Sequence, residues 1–203
     1  DAGRPSLAQH IGGGGNGRGD AVGRFEEQQC RWHACQFGET VVIYGLGLLG
    51  QLGTQIAKQA GMNVLGLDVD PRRVQEALAN GADRAMDPEH DDAIAACLEM
   101  TEGFGADAVV LCVVTPSSVP INRSFDLCRH KGTVVGVGLF GMEFERGRMY
   151  SREVTFLPSI AYGQGRYDPV YEEGVVDYPI GYARWTENRN QVAFLRMLSR
   201  GTV

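Results

Sequence analysis

From residue 39 onward, short apolar runs alternate with segments whose apolar residues recur at helical spacing. The runs are rich in Val, Ile and Leu, which is typical of strands buried in a parallel sheet. The predicted strands are residues 41–44, 63–67, 84–86, 106–114, 132–138 and 154–160, with helices at 49–60, 71–80, 91–100 and 119–128. This alternation predicts an α/β protein with a doubly wound, parallel, six-stranded sheet in the order 3-2-1-4-5-6.

The same pattern divides the chain into three regions. Residues 38–160 carry the strand–helix alternation and are predicted to form the sheet domain. Residues 1–37 lie before it, and because residues 1–24 contain eight glycines and no strand pattern, we expect a flexible or remnant segment there. Residues 161–203 are predicted to be an irregular, turn-rich tail. The tail ends in a helix capped by Thr186, with Val192, Leu195 and Leu198 on one face.

The first predicted strand runs into Gly45-Leu46-Gly47-Leu48-Leu49-Gly50, which has the spacing G-x-G-x-x-G. Gly45 permits a tight turn, Gly47 lets a pyrophosphate approach the backbone, and Gly50 lets the helix pack closely on the strand. The free N–H groups at the start of that helix, with the positive end of its dipole, hold phosphates. The strand–turn–helix context therefore predicts a Rossmann fold that binds a dinucleotide, against the alternative of a structural glycine turn.

Asp68 ends the second predicted strand, 18 residues after Gly50. An acid at about this distance hydrogen-bonds the adenosine ribose, and it repels the 2′-phosphate of NADP. The position therefore predicts NAD as the cofactor and makes NADP less favourable. Arg72 and Arg73 oppose this prediction, because arginine near this position can pair with a 2′-phosphate.

Composition excludes several other classes of function. The net charge of −6 argues against nucleic-acid and anionic-membrane partners, and no apolar run reaches the ~18 residues of a membrane span. Five cysteines without a regular framework are typical of a reducing, cytoplasmic compartment. Cys30, His33 and Cys35 lack a fourth ligand, so we predict no zinc site in this chain.

Residues 39–203 resemble the cofactor domain of the medium-chain dehydrogenase/reductase superfamily, the alcohol dehydrogenase-like proteins. The matching segments are residues 45–50, 67–73 and 132–138. The tail, residues 162–169 and 178–187, is similar to a narrower group of bacterial bi-domain oxidoreductases. In those proteins such a module precedes a Gfo/Idh/MocA-type domain. Residues 1–37 do not resemble the GroES-like catalytic domain that the superfamily carries upstream, so the catalytic residues stay unknown.

The resemblance also implies roles for residues outside the glycine motif. Arg73 would reach the adenosine ribose, while Val114 and Thr115 would lie over the adenosine side of the crevice. Val137 and Gly138 would line the nicotinamide end. A surface arginine, strand residues and a turn residue are the structural alternatives at these positions.

Three functions are compatible with these observations. The first is the NAD(H)-binding part of an oxidoreductase that transfers hydride to or from a small alcohol or carbonyl substrate, with its catalytic domain largely outside this chain. The second is a non-catalytic module for NAD sensing or assembly. The third, a methyltransferase, is disfavoured because three glycines at dinucleotide spacing exceed what its cofactor needs. Homo-oligomer formation is left open, and the resemblance implies fused catalytic and Gfo/Idh/MocA-type domains in the full-length protein.

Overall fold

The computed structural model describes residues 36–159, 163–174 and 176–203. Six strands form one parallel sheet: β1 (Thr40–Tyr44), β2 (Asn63–Leu67), β3 (Arg84–Met86), β4 (Ala106–Leu111), β6 (Cys128–Gly136) and β8 (Thr155–Pro158). Their order is β3-β2-β1-β4-β6-β8, which confirms the predicted doubly wound topology. Two short strands, β5 (Val114–Thr115) and β7 (Leu139–Phe140), pair separately as a second parallel sheet.

Helices cover the sheet and continue into the tail. They are α1 (Leu48–Gln59), α2 (Pro71–Ala79), α3 (Ala93–Met100), α4 (Val119–Leu127), α5 (Arg146–Ser151), α6 (Pro169–Glu172) and α7 (Glu187–Ser199). Side-chain caps define several starts: Asp70 accepts a hydrogen bond from the N–H of Arg72, and Asp92 accepts one from Ala95. Such caps satisfy backbone donors that the first helical turn leaves free.

Apolar side chains pack on both faces of the sheet. Because side chains alternate along a strand, Val42 and Tyr44 join a cluster on one face, while Val41 and Ile43 join a second cluster on the other. Phe125 of α4 is completely buried in the first cluster. The near-continuous apolar runs in the sequence therefore reflect burial on two faces.

Some predicted boundaries were wrong. The strand predicted at residues 106–114 ends at Leu111, because the chain leaves the main sheet and Val114 and Thr115 pair with β7 instead. The strand predicted at 132–138 ends at Gly136, where the N–H groups of Val137 and Gly138 both turn to the carbonyl of Leu111. The chain stays apolar beyond the ends of both strands, so apolar composition does not mark where the hydrogen bonding between strands ends.

The tail has its own short-range organisation. Gln164 forms an isolated parallel bridge with Thr186, whose side chain caps α7 through the N–H of Arg189. The predicted apolar face of α7 is largely uncovered, with Val192, Leu195 and Leu198 exposed to 38%, 61% and 46%. Within the described segments, no helix is long and apolar enough to cross a membrane.

Candidate functional site

Two glycines of the motif are required by the fold itself. Gly45 has a φ of +97°, and a Cβ atom there would lie 2.9 Å from the backbone nitrogen of Val113 at the exit of β4. On Gly50, a Cβ atom would lie 2.0 Å from the carbonyl oxygen of Gly45. The turn conformation and the close helix–strand approach therefore explain both glycines without a ligand.

Gly47 differs from its two neighbours in the motif. It is the N-cap of α1 with φ −67° and ψ −165°, a conformation open to any residue. No described atom lies within 4 Å of the place where its Cβ would be. The first turn of α1 has no side-chain cap and no acidic residue. This helix start therefore faces open space with backbone donors that suit an anion.

Asp68 connects the glycine motif to the end of β2. Its carboxylate is buried, with Oδ2 2.7 Å from the N–H nitrogen of Leu46 and Oδ1 2.9 Å from that of Asp70. Nη1 of Arg73 lies 3.5 Å from Oδ2. Each carboxylate oxygen has two acceptor positions, so both retain capacity for a further donor. Asp68 therefore fixes the glycine turn and also presents acceptors beside it.

A cavity of about 820 Å³ opens at the carboxyl edge of the sheet, between the ends of β1 and β4. Six of the predicted site residues line it: Gly45, Gly47, Asp68, Arg73, Val114 and Thr115. The position is the crevice where strand order reverses, which is the usual ligand site of open α/β sheets. The other five predicted residues, Leu48, Leu49, Gly50, Val137 and Gly138, are not part of this lining.

Gly138 has a structural explanation of its own. A Cβ atom on it would lie 2.0 Å from the carbonyl oxygen of Val113, so the close approach of two strand exits requires glycine. Val137 is half-buried and packs beside the second hydrophobic cluster. Leu48 and Leu49 are exposed at the start of α1, where their backbone N–H groups rather than their side chains are available to an anion.

Four residues with titratable side chains that the sequence did not indicate also line the cavity: Tyr44, Glu89, Cys112 and Arg123. The Arg123 guanidinium donates from Nη1 to the carbonyl of Pro88. Burial raises the pKa of Tyr44, and Arg123 opposes that shift. Burial also raises the pKa of the Cys112 thiol to about 11, which keeps it protonated at neutral pH.

The described residues contain no group of three or more His, Cys, Asp or Glu placed to hold a metal ion. Cys30, His33 and Cys35 lie outside the described residues. The predicted absence of zinc from this chain therefore stays a prediction.

A parallel sheet with a glycine turn after its first strand, an acid after its second and a crevice at its carboxyl edge defines a Rossmann-type nucleotide-binding fold. The family model for zinc-binding dehydrogenases matches residues 49–174, more than half of the chain. The chain belongs to this family, which confirms the resemblance to alcohol dehydrogenase-like proteins.

Curated relatives agree with this membership. A sorbitol dehydrogenase of Halalkalibacterium halodurans is 30% identical over 177 residues, covering 82% of this chain and 50% of that protein. An alcohol dehydrogenase of Geobacillus stearothermophilus is 35% identical over 102 residues, covering 50% of this chain and 29% of that protein. The chain thus spans half or less of the length of these two relatives.

A solved structure shares the fold. The alcohol dehydrogenase of the archaeon Aeropyrum pernix matches with a TM-score of 0.63 and 22% identity, over 90% of this chain and 44% of that chain. At that identity the likeness concerns the fold alone.

Proposed function

We propose that this chain is the NAD(H)-binding part of an alcohol dehydrogenase-like oxidoreductase that moves hydride between nicotinamide and a small alcohol or carbonyl substrate. The observation that carries the proposal is Gly47, because the fold has room for a side chain there. It stands at an uncapped helix start in the wall of the edge cavity. A bound pyrophosphate would use the space that a side chain would fill.

The residues around the cavity divide the binding work. The N–H groups at the start of α1 would hold phosphate oxygens, and Asp68 would accept hydrogen bonds from ribose hydroxyls with its remaining lone pairs. Arg73, Val114 and Thr115 would border the adenosine, and Val137 and Gly138 the nicotinamide end. When bound, the nicotinamide would supply the hydride chemistry, while the chain contributes position and electrostatics.

The groups that act on the substrate are proposed to lie outside these 203 residues. The matched parts make up half or less of the length of these two relatives, which leaves room for a separate catalytic domain. The similarity of the tail to bi-domain oxidoreductases supports a further Gfo/Idh/MocA-type domain in the full-length protein. We also propose that the substrate is a small molecule and that the protein is cytoplasmic. This chain is proposed to hold no zinc, and the proposal is compatible with a homo-oligomer.

Replacement of Gly47 tests the proposal. In Gly47→Val the backbone conformation tolerates the new residue, but its side chain fills the cradle and shields the helix N–H groups. Losing about two charge-assisted hydrogen bonds should weaken NADH binding about a hundredfold. Isothermal titration calorimetry of NADH with the folded variant measures this loss.

Gly147 offers a matched control for that experiment. It is exposed on α5, and a Cβ atom there also meets no described atom within 4 Å. Gly147→Val should therefore bind NADH like the wild type. Unchanged NADH affinity in a folded Gly47→Val protein would refute the proposed site.

The preference for NAD over NADP is tested at Asp68. Two unit charges ~4 Å apart repel by about 4 kcal/mol at an effective dielectric constant of ~20, and a third of that favours NAD about tenfold. In Asp68→Ser the ratio of NADH to NADPH affinity should fall toward one. Both affinities should also drop, because the bond that holds Leu46 is lost. A wild type that binds NADPH more tightly, or a ratio that Asp68→Ser leaves unchanged, would contradict this role.

A further inference from the structure

Along the carboxyl edge of the sheet, residues that follow neighbouring strands line the cavity one after another. Gly47 follows β1, Asp68 follows β2, and Glu89 lies in the loop that follows β3. These strands are neighbours in the order β3-β2-β1, so the three residues mark successive positions along one edge. If phosphates occupy the first position and the ribose the second, the base of the nucleotide extends toward Glu89. This inference rests on the proposed function.

The end of the cavity near Glu89 is polar as well as apolar. Arg123 of α4 lines the cavity and is held in place by the carbonyl of Pro88, the residue before Glu89. A guanidinium has five N–H donors, so the bond to Pro88 leaves others for a ligand. The N–H of Glu89 bonds the Asp87 side chain at 2.8 Å, which fixes the loop and leaves the Glu89 carboxylate in the lining.

Two exposed valines line the same cavity. Val69 and Val114 are 57% and 79% exposed; Val69 lies in the loop after β2, and Val114 lies in β5, which follows β4. Apolar side chains on two sides of a crevice suit the flat faces of a purine ring. The carboxylate of Glu89 and the guanidinium of Arg123, in the same lining, suit its edge.

We infer that Glu89 and Arg123 select adenine as the base of the bound dinucleotide. Glu89 accepts a hydrogen bond from the 6-amino group, and Arg123 donates to a ring nitrogen. Hypoxanthine carries a carbonyl oxygen in place of the amino group. That oxygen would face the Glu89 carboxylate with no proton between them, so the hypoxanthine dinucleotide loses the bond and gains repulsion.

The test compares NADH with reduced nicotinamide hypoxanthine dinucleotide, which differs only at the base. Calorimetric titration of the wild type should give at least about tenfold tighter binding of NADH, as expected for one hydrogen bond to a charged group. In Glu89→Gln the side-chain amide can donate as well as accept, so the ratio of the two affinities should fall close to one. Glu89 is exposed, and the variant should fold normally.

Glu173→Gln is the matched control, because Glu173 is exposed in the tail and lies outside the cavity lining. It should keep the wild-type ratio. Equal binding of the two dinucleotides by the wild type, or a ratio that Glu89→Gln does not change, would overturn the role of Glu89 and leave the dinucleotide site intact. Failure of both dinucleotides to bind the wild type would overturn the proposed function together with this inference.

Discussion

The sheet domain and the tail are held together in different ways. In the sheet domain, two apolar clusters fill the spaces on both faces, and their described members all come from residues 41–156. In the tail, the buried residues include Thr186 and Glu187 at the start of α7, while Val192, Leu195 and Leu198 of that helix are exposed. The first region is ordered by burial of apolar surface, and the second by specific polar contacts.

Arg189 shows how those polar contacts work. Its guanidinium donates to the carbonyls of Ala183 and Tyr178 and pairs with Asp177 at 2.9 Å. Tyr178 stacks on Tyr171 with a centroid distance of 5.0 Å. Net hydrogen bonds in water contribute only about 0.5–1.5 kcal/mol each, so such a region is less stable per residue than an apolar core. The comparison predicts that equivalent substitutions have unequal effects in the two regions.

The largest effect is expected in the core. Phe125 is completely buried, and its ring meets that of Phe144 edge-on at a centroid distance of 5.6 Å. Phe125→Ala removes this packing and leaves a cavity, which should lower the free energy of unfolding by about 3–5 kcal/mol. Equilibrium unfolding in urea, followed by circular dichroism, measures the change.

Leu195 in the tail is the counterpart of Phe125. Because its side chain is 61% exposed, Leu195→Ala should change the free energy of unfolding by no more than about 0.5 kcal/mol. A loss as large as that of Phe125→Ala would break the comparison. It would mean that this face of α7 is covered in solution.

The sequence predicted the sheet domain well because its physical determinants are local. The buried strands β1, β2 and β4 are short, mostly apolar runs, and capping residues such as Asp70 and Asp92 precede the helices. The departure of Val114 from the main sheet could not be predicted in this way. It depends on pairing with Leu139, which lies 25 residues away, and the side chain of Val114 is as apolar as those of the strand before it.

The candidate site also contains residues of two kinds, those set by a local motif and those brought together by the tertiary fold. Gly47 and Asp68 belong to a local motif whose spacing indicates a phosphate and a ribose, and both line the cavity. Tyr44, Glu89 and Arg123 come together only through the tertiary fold, from a strand, a loop and a helix. On its own, each has an ordinary place in the pattern: a strand aromatic, a loop acid and a polar helix position. Sequence spacing therefore carried no signal for them.

The smallest effect, and the one that depends most specifically on pH, is expected for a substitution of Glu187 in the tail. This residue is only 8% exposed, and among the described residues its Oε1 has no hydrogen-bond donor. Desolvation raises the pKa of its carboxyl above the ordinary value of 4.5, and the nearby charge of Glu172 adds to the shift. Ionised Glu187 is therefore a cost to the folded tail, in contrast to the carboxylate of Asp68, which accepts two backbone hydrogen bonds.

The sign of the pH dependence follows from this shift. Below 4.5 the acid is protonated in both the folded and the unfolded state, and Glu187→Gln should match the wild type. As the pH rises from 4.5 through the raised folded pKa, the unfolded state ionises first, so the wild-type tail loses stability that the glutamine variant retains.

Trp185 lies beside this site and becomes the sole tryptophan once Trp32 is replaced by Phe. Its fluorescence during thermal unfolding should show a higher midpoint for Glu187→Gln at pH 7 and no difference at pH 4, with the exposed Glu173→Gln unchanged at both. A lower or equal midpoint at pH 7 would show that the Glu187 carboxylate is stabilised in solution. The tail would then not differ from the core in carrying a buried charge that costs stability.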